Sequence, residues 1–318
     1  MLQQTQVATV IPYYQRFVER LPSVERLAAT DLDEVLSLWS GIGYYARGRN
    51  LHRAARIVAE SCDGLLPITL EALMELPGIG RSTASAILAL SGGQRHAILD
   101  GNVKRVLARY HAVEGWSGER AVETVLWQHA EEHTPIDNVA EYTQAIMDLG
   151  ATLCTRRDPA CAICPVMNDC AARQTGRQSQ LPTPRPKRHR PRRAVTALLV
   201  LDPNKQVLLE RRTAEGIWGG LFSFPELPDE CSARQWCNRH LGTEIAAQRE
   251  HPPVAHAFTH FDLDLKPLEV QLNSLPNKIM DREDWLWYNA ATQTNIGVAT
   301  PIAKLLQSLL TAQERLIA

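Results

Sequence analysis

Cys154, Cys161, Cys164 and Cys170 form a C-x6-C-x2-C-x5-C run directly after a predicted helix. Four thiolates in one short segment can enclose a single soft metal centre, because thiolate ligands select zinc or iron–sulfur clusters over hard cations. Disulfides are disfavoured: no signal peptide is recognisable and the chain has seven cysteines, an odd number. Spacing alone leaves zinc open, since structural zinc sites also use C-x2-C pairs. A second chemical segment is Leu76-Pro77-Gly78-Ile79-Gly80, between two predicted helices. Gly78 and Gly80 allow a tight turn and a close approach of backbone amides to a ligand, and the helix opening at Arg81 offers free N–H groups to a phosphate. Twenty residues beyond Gly80 stands Asp100, in Ile98-Leu99-Asp100-Gly101-Asn102-Val103-Lys104-Arg105-Val106. Alone, an aspartate there reads as a helix N-cap.

The elements that position these residues divide into two halves. Up to about residue 172 the period is helical. Val7, Val10, Ile11, Tyr14, Phe17, Val18 and Leu21 recur at three- and four-residue steps on one predicted helix face. Asp31 and Glu34 predict a capping box for the next helix, and further helices are expected near 45–60, 70–76, 81–90, 103–111, 118–133 and 139–149. From residue 194 the period changes to two, with strands expected at 195–201, 207–211, 221–225, 261–272 and 285–288 and helices at 233–241 and 301–312. Between the halves, 173–193 holds eight Lys/Arg, no acid and four prolines, which reads as a semi-rigid basic linker able to track phosphates. The expected organisation is an all-α domain over 1–172, the linker, and an α+β domain over 194–318. Net charge is −1, so only this local stretch marks the chain for nucleic acid. No apolar run is long enough for a membrane span, and with no targeting segment the expected location is the cytoplasm.

Taken together, the cysteine spacing, the L-P-G-I-G turn and Asp100 at its distance resemble the helix-hairpin-helix DNA glycosylases, the superfamily of endonuclease III and the adenine DNA glycosylases. The resemblance implies a [4Fe–4S] cluster on Cys154, Cys161, Cys164 and Cys170, in a loop spanning 153–171. It implies that Asp100 faces the sugar of the target nucleotide, where a carboxylate stabilises or captures the oxocarbenium character that develops as the glycosidic bond breaks. Asn102 would orient Asp100, and Gly78, Gly80 and Lys104 would hold the phosphate side. Lyase-type relatives carry a Schiff-base lysine where this chain has Ser82, eighteen residues before Asp100. A serine cannot form that imine, so the chain is similar to the monofunctional, adenine-removing branch. Met1-Leu2-Gln3-Gln4-Thr5-Gln6-Val7 and Gly41-Ile42-Gly43-Tyr44-Tyr45-Ala46-Arg47 resemble the segments that enter the DNA stack, with Gln4 and Tyr44 as wedges that fill the gap left by an extruded base.

Removing adenine needs a proton on the base, and the resemblance implies a glutamate of raised pKa as its source. In the family motif it lies two positions ahead of the residue that is Met1 here, so the sequence as written lacks it. The expectation is a family member truncated at its N-terminus, also without the family's first helix. The alternatives are a catalytically silent mispair-binding fragment and an endonuclease III-type lyase, the latter opposed by Ser82.

In the second half, Trp218–Pro225 and His256–Phe261 resemble the Nudix-like C-terminal domain of adenine DNA glycosylases. The predicted helix 233–241 contains no Glu, which argues against metal-dependent pyrophosphate hydrolysis. The resemblance implies that Phe258, Thr259 and His260 detect 8-oxoguanine; the family has serine where Thr259 keeps the hydroxyl and adds a methyl. The implied partner is double-stranded DNA carrying an adenine:8-oxoguanine or adenine:guanine mispair, bound by a monomer. Anaerobically purified protein is expected to be brown, with iron and sulfide in equal amounts, and Cys62, Cys231 and Cys237 are expected to be dispensable for this. Stoichiometric zinc without sulfide would overturn the cluster.

Overall fold

The computed structural model describes residues 1–3, 5–186, 189–213, 216–258, 260–276, 284–289 and 296–317. Contacts divide the chain into two compact units, Met1–Gly64 with His189–Ala318, and Leu65–Arg188. This differs from the sequence division at the linker, because the first four helices share a core with the C-terminal sheet.

In the first unit, α1 (Val7–Arg20), α2 (Val24–Ala29), α3 (Leu32–Trp39) and α4 (Ala46–Ser61) precede the sheet elements. Helix α2 escaped the sequence reading because it is short; Ser23 caps it by accepting the Arg26 N–H. The predicted capping box on α3 does not form. Asp31 makes no side-chain cap bond, and Glu34 instead accepts from Arg20 Nε at 2.5 Å. The apolar stripe of α1 is only partly used: Val10, Phe17 and Leu21 are buried, whereas Val7, Ile11, Tyr14 and Val18 are exposed.

The second unit is helical: α5 (Leu70–Met74), α6 (Arg81–Gly92), α7 (Gly101–Tyr110), α8 (Arg120–His133), α9 (Val139–Asp148) and α10 (Ala171–Gln174). A π-helical turn, Leu149–Leu153, leads from α9 into the cysteine loop. The start of the expected linker is structured rather than a free tether. Leu181 is buried, the Gly115 N–H donates to Thr183 Oγ1 (3.0 Å), and Thr183 bridges to Trp116.

The sheet comprises β1 (Arg192–Leu201), β2 (Val207–Arg211), β3 (Phe222–Ser223), β4 (Glu226–Leu227), β5 (Ile245–Glu250), β6 (Val254–Ala257), β7 (Asp262–Leu272) and β8 (Trp285–Tyr288), with helices α11 (Ala233–Leu241) and α12 (Thr300–Ile317). Its main order is β3-β2-β1-β7-β5. Strands β1 and β7 run parallel in register from Arg192↔Asp262 to Leu201↔Gln271, and the other pairings are antiparallel. Of the expected strand 221–225 only Phe222–Ser223 is strand, since the chain leaves β2 at Ser223 and joins β1 just beyond, at Glu226. Strands β5 and β6 were not anticipated: one reads IAAQRE and buries only its first residue, so the period-two signal is missing.

Alternation along β1 sends side chains to two cores. Leu198 and Val200 meet Trp236, Cys237 and Leu241 of α11. Ala197, Leu199 and Leu201 join Leu221, Ile302 and Leu306, and the same core holds Phe17, Val35, Leu36 and Trp39. Asp33 forms a two-pronged ion pair with Arg211, one prong of 2.6 Å, and the Ser40 and Tyr45 hydroxyls both donate to the Val298 carbonyl (2.8 and 3.1 Å).

Candidate active site and metal centre

The turn between α5 and α6 is built as its residues require. The Ile79 N–H donates to the Leu76 carbonyl (3.1 Å), with Pro77 second and Gly78 third in the turn. Gly78 has φ +82°, a left-handed conformation that side chains resist. Gly80 is the N-cap of α6, and a Cβ there would meet nothing within 4 Å. The backbone at the head of α6 is therefore open. Ser82 follows in the first turn, where its Oγ accepts the Leu99 N–H (3.0 Å). That bond ties the chain immediately before Asp100 to the hairpin helix, so Ser82 and Asp100 are brought into one neighbourhood.

Asp100 is the N-cap of α7. Its Oδ1 accepts the N–H groups of Asn102 (3.0 Å) and Val103 (2.8 Å). Among the described residues, Oδ2 accepts no hydrogen bond. The N-cap reading and the catalytic reading are thus compatible: one oxygen locks the carboxylate's orientation and the other remains available. The Asn102 side chain accepts from Arg105 Nη2 (2.9 Å) rather than reaching Asp100 itself. Lys104 is paired with Glu123 at 2.6 Å, so the expected phosphate contact would have to compete with this ion pair.

Two arginines, which the sequence reading did not single out, join α7 to the cysteine loop. Arg105 donates to the carbonyls of Gly150 (2.5 Å) and Cys154 (2.7 Å), and its burial lowers its pKa. Arg109 is 2% exposed and donates to the carbonyls of Leu181 (2.8 Å), Thr155 (2.7 Å) and Arg156 (3.1 Å), and to Cys154 Sγ (3.3 Å). Their one-turn spacing on α7 was the available signal, but basic residues beside an open loop read equally as phosphate contacts. Gly150 is required here, because a Cβ would lie 2.7 Å from that of Asn102.

Cys154, Cys161, Cys164 and Cys170 all border one pocket, with Val106, Leu149, Leu153, Val166 and Met167 among its other walls. All four are free thiols. Burial, followed by the charges of Cys154, Cys170 and Cys164, pushes the Cys161 thiol up, as is reasonable for sulfurs turned towards a common space. Among the described residues, no three His, Cys, Asp or Glu side chains are arranged to hold a single metal ion. The donor set suits a soft, thiolate-ligated group, and the mainly apolar walls suit one screened from water.

In the other unit, Gln4 and Thr259 lie outside the described residues. Tyr44 is 50% exposed and has φ +49°, unusual for a residue with a side chain. Phe258 and His260 occupy the connection between β6 and β7. The Phe258 N–H donates to the Phe261 carbonyl (2.9 Å), the two phenyl rings stack at 4.7 Å, and His260 is exposed.

Residues 1–132 match the HhH-GPD superfamily of base excision DNA repair proteins, and residues 196–308 match the NUDIX domain. The chain is 35% identical over 310 residues to the adenine DNA glycosylase of Buchnera aphidicola subsp. Schizaphis graminum, covering 96% of this chain and 88% of that one. It belongs to the adenine DNA glycosylase family. The human adenine DNA glycosylase is also 35% identical, over 83% of this chain and 58% of its own. Family membership makes this chain a DNA glycosylase, a hydrolase of N-glycosyl bonds, with a helix-hairpin-helix domain and a Nudix-like domain. The HhH-GPD match runs across both compact units.

The Ser82–Leu99 bond makes the lyase comparison testable in this family member. On a duplex with a preformed abasic site, Ser82→Lys should let borohydride trap a covalent protein–DNA adduct above the parent's background, in which Lys104 is the nearby amine. An unchanged adduct level would mean that position 82 does not face the sugar.

Proposed function

We propose that this adenine DNA glycosylase acts in base excision repair on double-stranded DNA, hydrolysing the N-glycosidic bond of adenine mispaired with 8-oxoguanine or guanine. The observation that carries the reading is Asp100, clamped through Oδ1 at the head of α7 with Oδ2 free, beside the open N-terminus of α6. As the glycosidic bond lengthens, positive charge builds on the sugar, and a preset carboxylate lowers its energy without reorganising. Ser82 positions the Asp100 segment, and the amides after Gly78 and Gly80 receive a phosphate. Tyr44 and Gln4 serve as wedges during base extrusion. A [4Fe–4S] cluster would be held by Cys154, Cys161, Cys164 and Cys170. When bound, it would brace the loop that Arg105 and Arg109 join to α7; no chemical step is assigned to it.

Asp100→Asn should lower adenine release on the order of a hundredfold or more while leaving mispair binding within a fewfold. Near-parental release would reduce Asp100 to a helix cap.

Lesion reading is assigned to Phe258, Thr259 and His260, in the connection whose ends are held by the β6–β7 pairing. Thr259→Ala with His260→Ala should weaken binding to adenine:8-oxoguanine about tenfold more than to adenine:guanine, as expected for lost hydrogen bonds to a base edge. Uniform weakening of both complexes would instead make the tip a backbone clamp.

A further inference from the structure

Arg47, at the start of α4, is bound to two separate segments of chain. Its Nη1 donates to the carbonyls of Met1 (2.7 Å) and Gln3, and its Nη2 to Thr5 Oγ1 (2.9 Å) and the Gly43 carbonyl (3.3 Å). Its guanidinium also lies over the rings of Tyr44 and Trp39, with Cζ 5.3 and 5.6 Å from their centroids. The Gly43 carbonyl is shared, since Trp39 Nε1 donates to it as well (3.2 Å). Trp39 is 1% exposed and meets Phe17 edge-on, so this end of the arrangement is anchored in the core. Nε of Arg47 is buried without a partner among the described residues, so the two terminal nitrogens make all of its side-chain hydrogen bonds.

Both segments gripped in this way are those assigned above to the DNA wedges. Residues 1–3, 5 and 41–45 are irregular backbone outside any helix or strand, with no ladder of their own to set their shape. Tyr44 is left-handed, a conformation that side chains resist and that persists only where its surroundings determine it. The guanidinium covers one face of the Tyr44 ring while half of the residue remains open to solvent. A planar cation with five donors can bridge several acceptors and lie on a ring; a lysine ammonium cannot do both.

We infer that Arg47 is the positioning residue of the DNA wedge: it sets the 1–5 segment and Tyr44 in their inserting geometry before DNA arrives, leaving one ring face free to stack on a base. This rests on the reading of Tyr44 as a wedge. Holding the wedge preset spares the complex the entropy of ordering two loops and an aromatic side chain on binding.

The test uses the intact chain and a duplex carrying 2-aminopurine in the target position opposite 8-oxoguanine, whose emission rises when the base leaves the stack. It needs no bond cleavage. Arg47→Lys should lose most of the emission rise and weaken this complex about tenfold, or ~1.4 kcal/mol, while affinity for a fully paired duplex stays within a fewfold. Thr5→Ala, which removes one contact of the four and lies outside the core, should show a smaller loss and keeps the question open to measurement should Arg47→Lys fold poorly. Because Arg47 acts through Tyr44, adding Arg47→Lys to Tyr44→Ala should cause little further loss of emission. If Tyr44→Ala loses the emission while Arg47→Lys and Thr5→Ala keep it, the wedge stands and the role of Arg47 is overturned. If Tyr44→Ala itself keeps full emission, the wedge reading fails and this inference with it. Fully additive losses would also overturn it.

Discussion

Two arginines of α7, Arg109 buried and Arg105 half-buried, bind the cysteine loop and form the constraint on which the Leu65–Arg188 unit depends. Arg109, almost wholly removed from water, must have its donors satisfied by protein, and it finds carbonyls of Thr155, Arg156 and Leu181. Those carbonyls belong to stretches with no helix or strand to pair them. Each side therefore solves the other's problem: the loop supplies acceptors and the guanidinium supplies donors. Separating them would leave a buried charge unpaired, a loss of several kcal/mol. One turn earlier, Arg105 repeats the device on Gly150 and Cys154.

The consequence for chemistry follows from the length of α7. Its ten residues carry Asp100 at the head and Arg105 and Arg109 along the body. Any displacement of the helix would have to break bonds to the cysteine loop at one end and the Ser82–Leu99 link near the other. The carboxylate is thus aimed by a rigid element whose two ends are independently fastened. Gly150 permits the closest approach, letting the π-helical turn rest directly on the backbone of Asn102. The cysteine pocket lies along the same helix, bordered by Val106, Arg109 and Tyr110. A thiolate-bound group there would lock the loop that the arginines already hold.

In the other unit, the sheet provides the rigidity. Parallel pairing of β1 with β7 over ten residues makes a central pair whose second half in β1 is buried on both faces, and Asp33, Ser40 and Tyr45 tie the first helices to Arg211 of β2 and to the Val298 carbonyl. The loop bearing Tyr44 is held on one side by the Val298 carbonyl, through Ser40 and Tyr45, and on the other by Arg47. A strained aromatic residue in an exposed loop can keep its geometry only with such support from both sides.

What the sequence determined by itself was chemistry and local form. The cysteine spacing, the Pro77-Gly78 turn and Asp100 before a helix depend on residue type and short-range separation, and these carried the family resemblance. Helices α4 to α9 were legible for the same reason, since their apolar periods are local. The partners of those residues were decided only by tertiary structure. The sequence reading did not set Arg105 and Arg109 apart from other basic residues; their bonds to the cysteine loop appear only in the fold. Lys104 read as a phosphate contact, and only the fold shows Glu123 paired with it at 2.6 Å. Strand β5 was hidden because an exposed edge strand carries no alternating apolar pattern, and the split of β3 from β4 because strands of two residues each are too short to show a period. The grouping of Met1–Gly64 with His189–Ala318 arises from side chains far apart in sequence sharing one core, a long-range fact that no local period encodes.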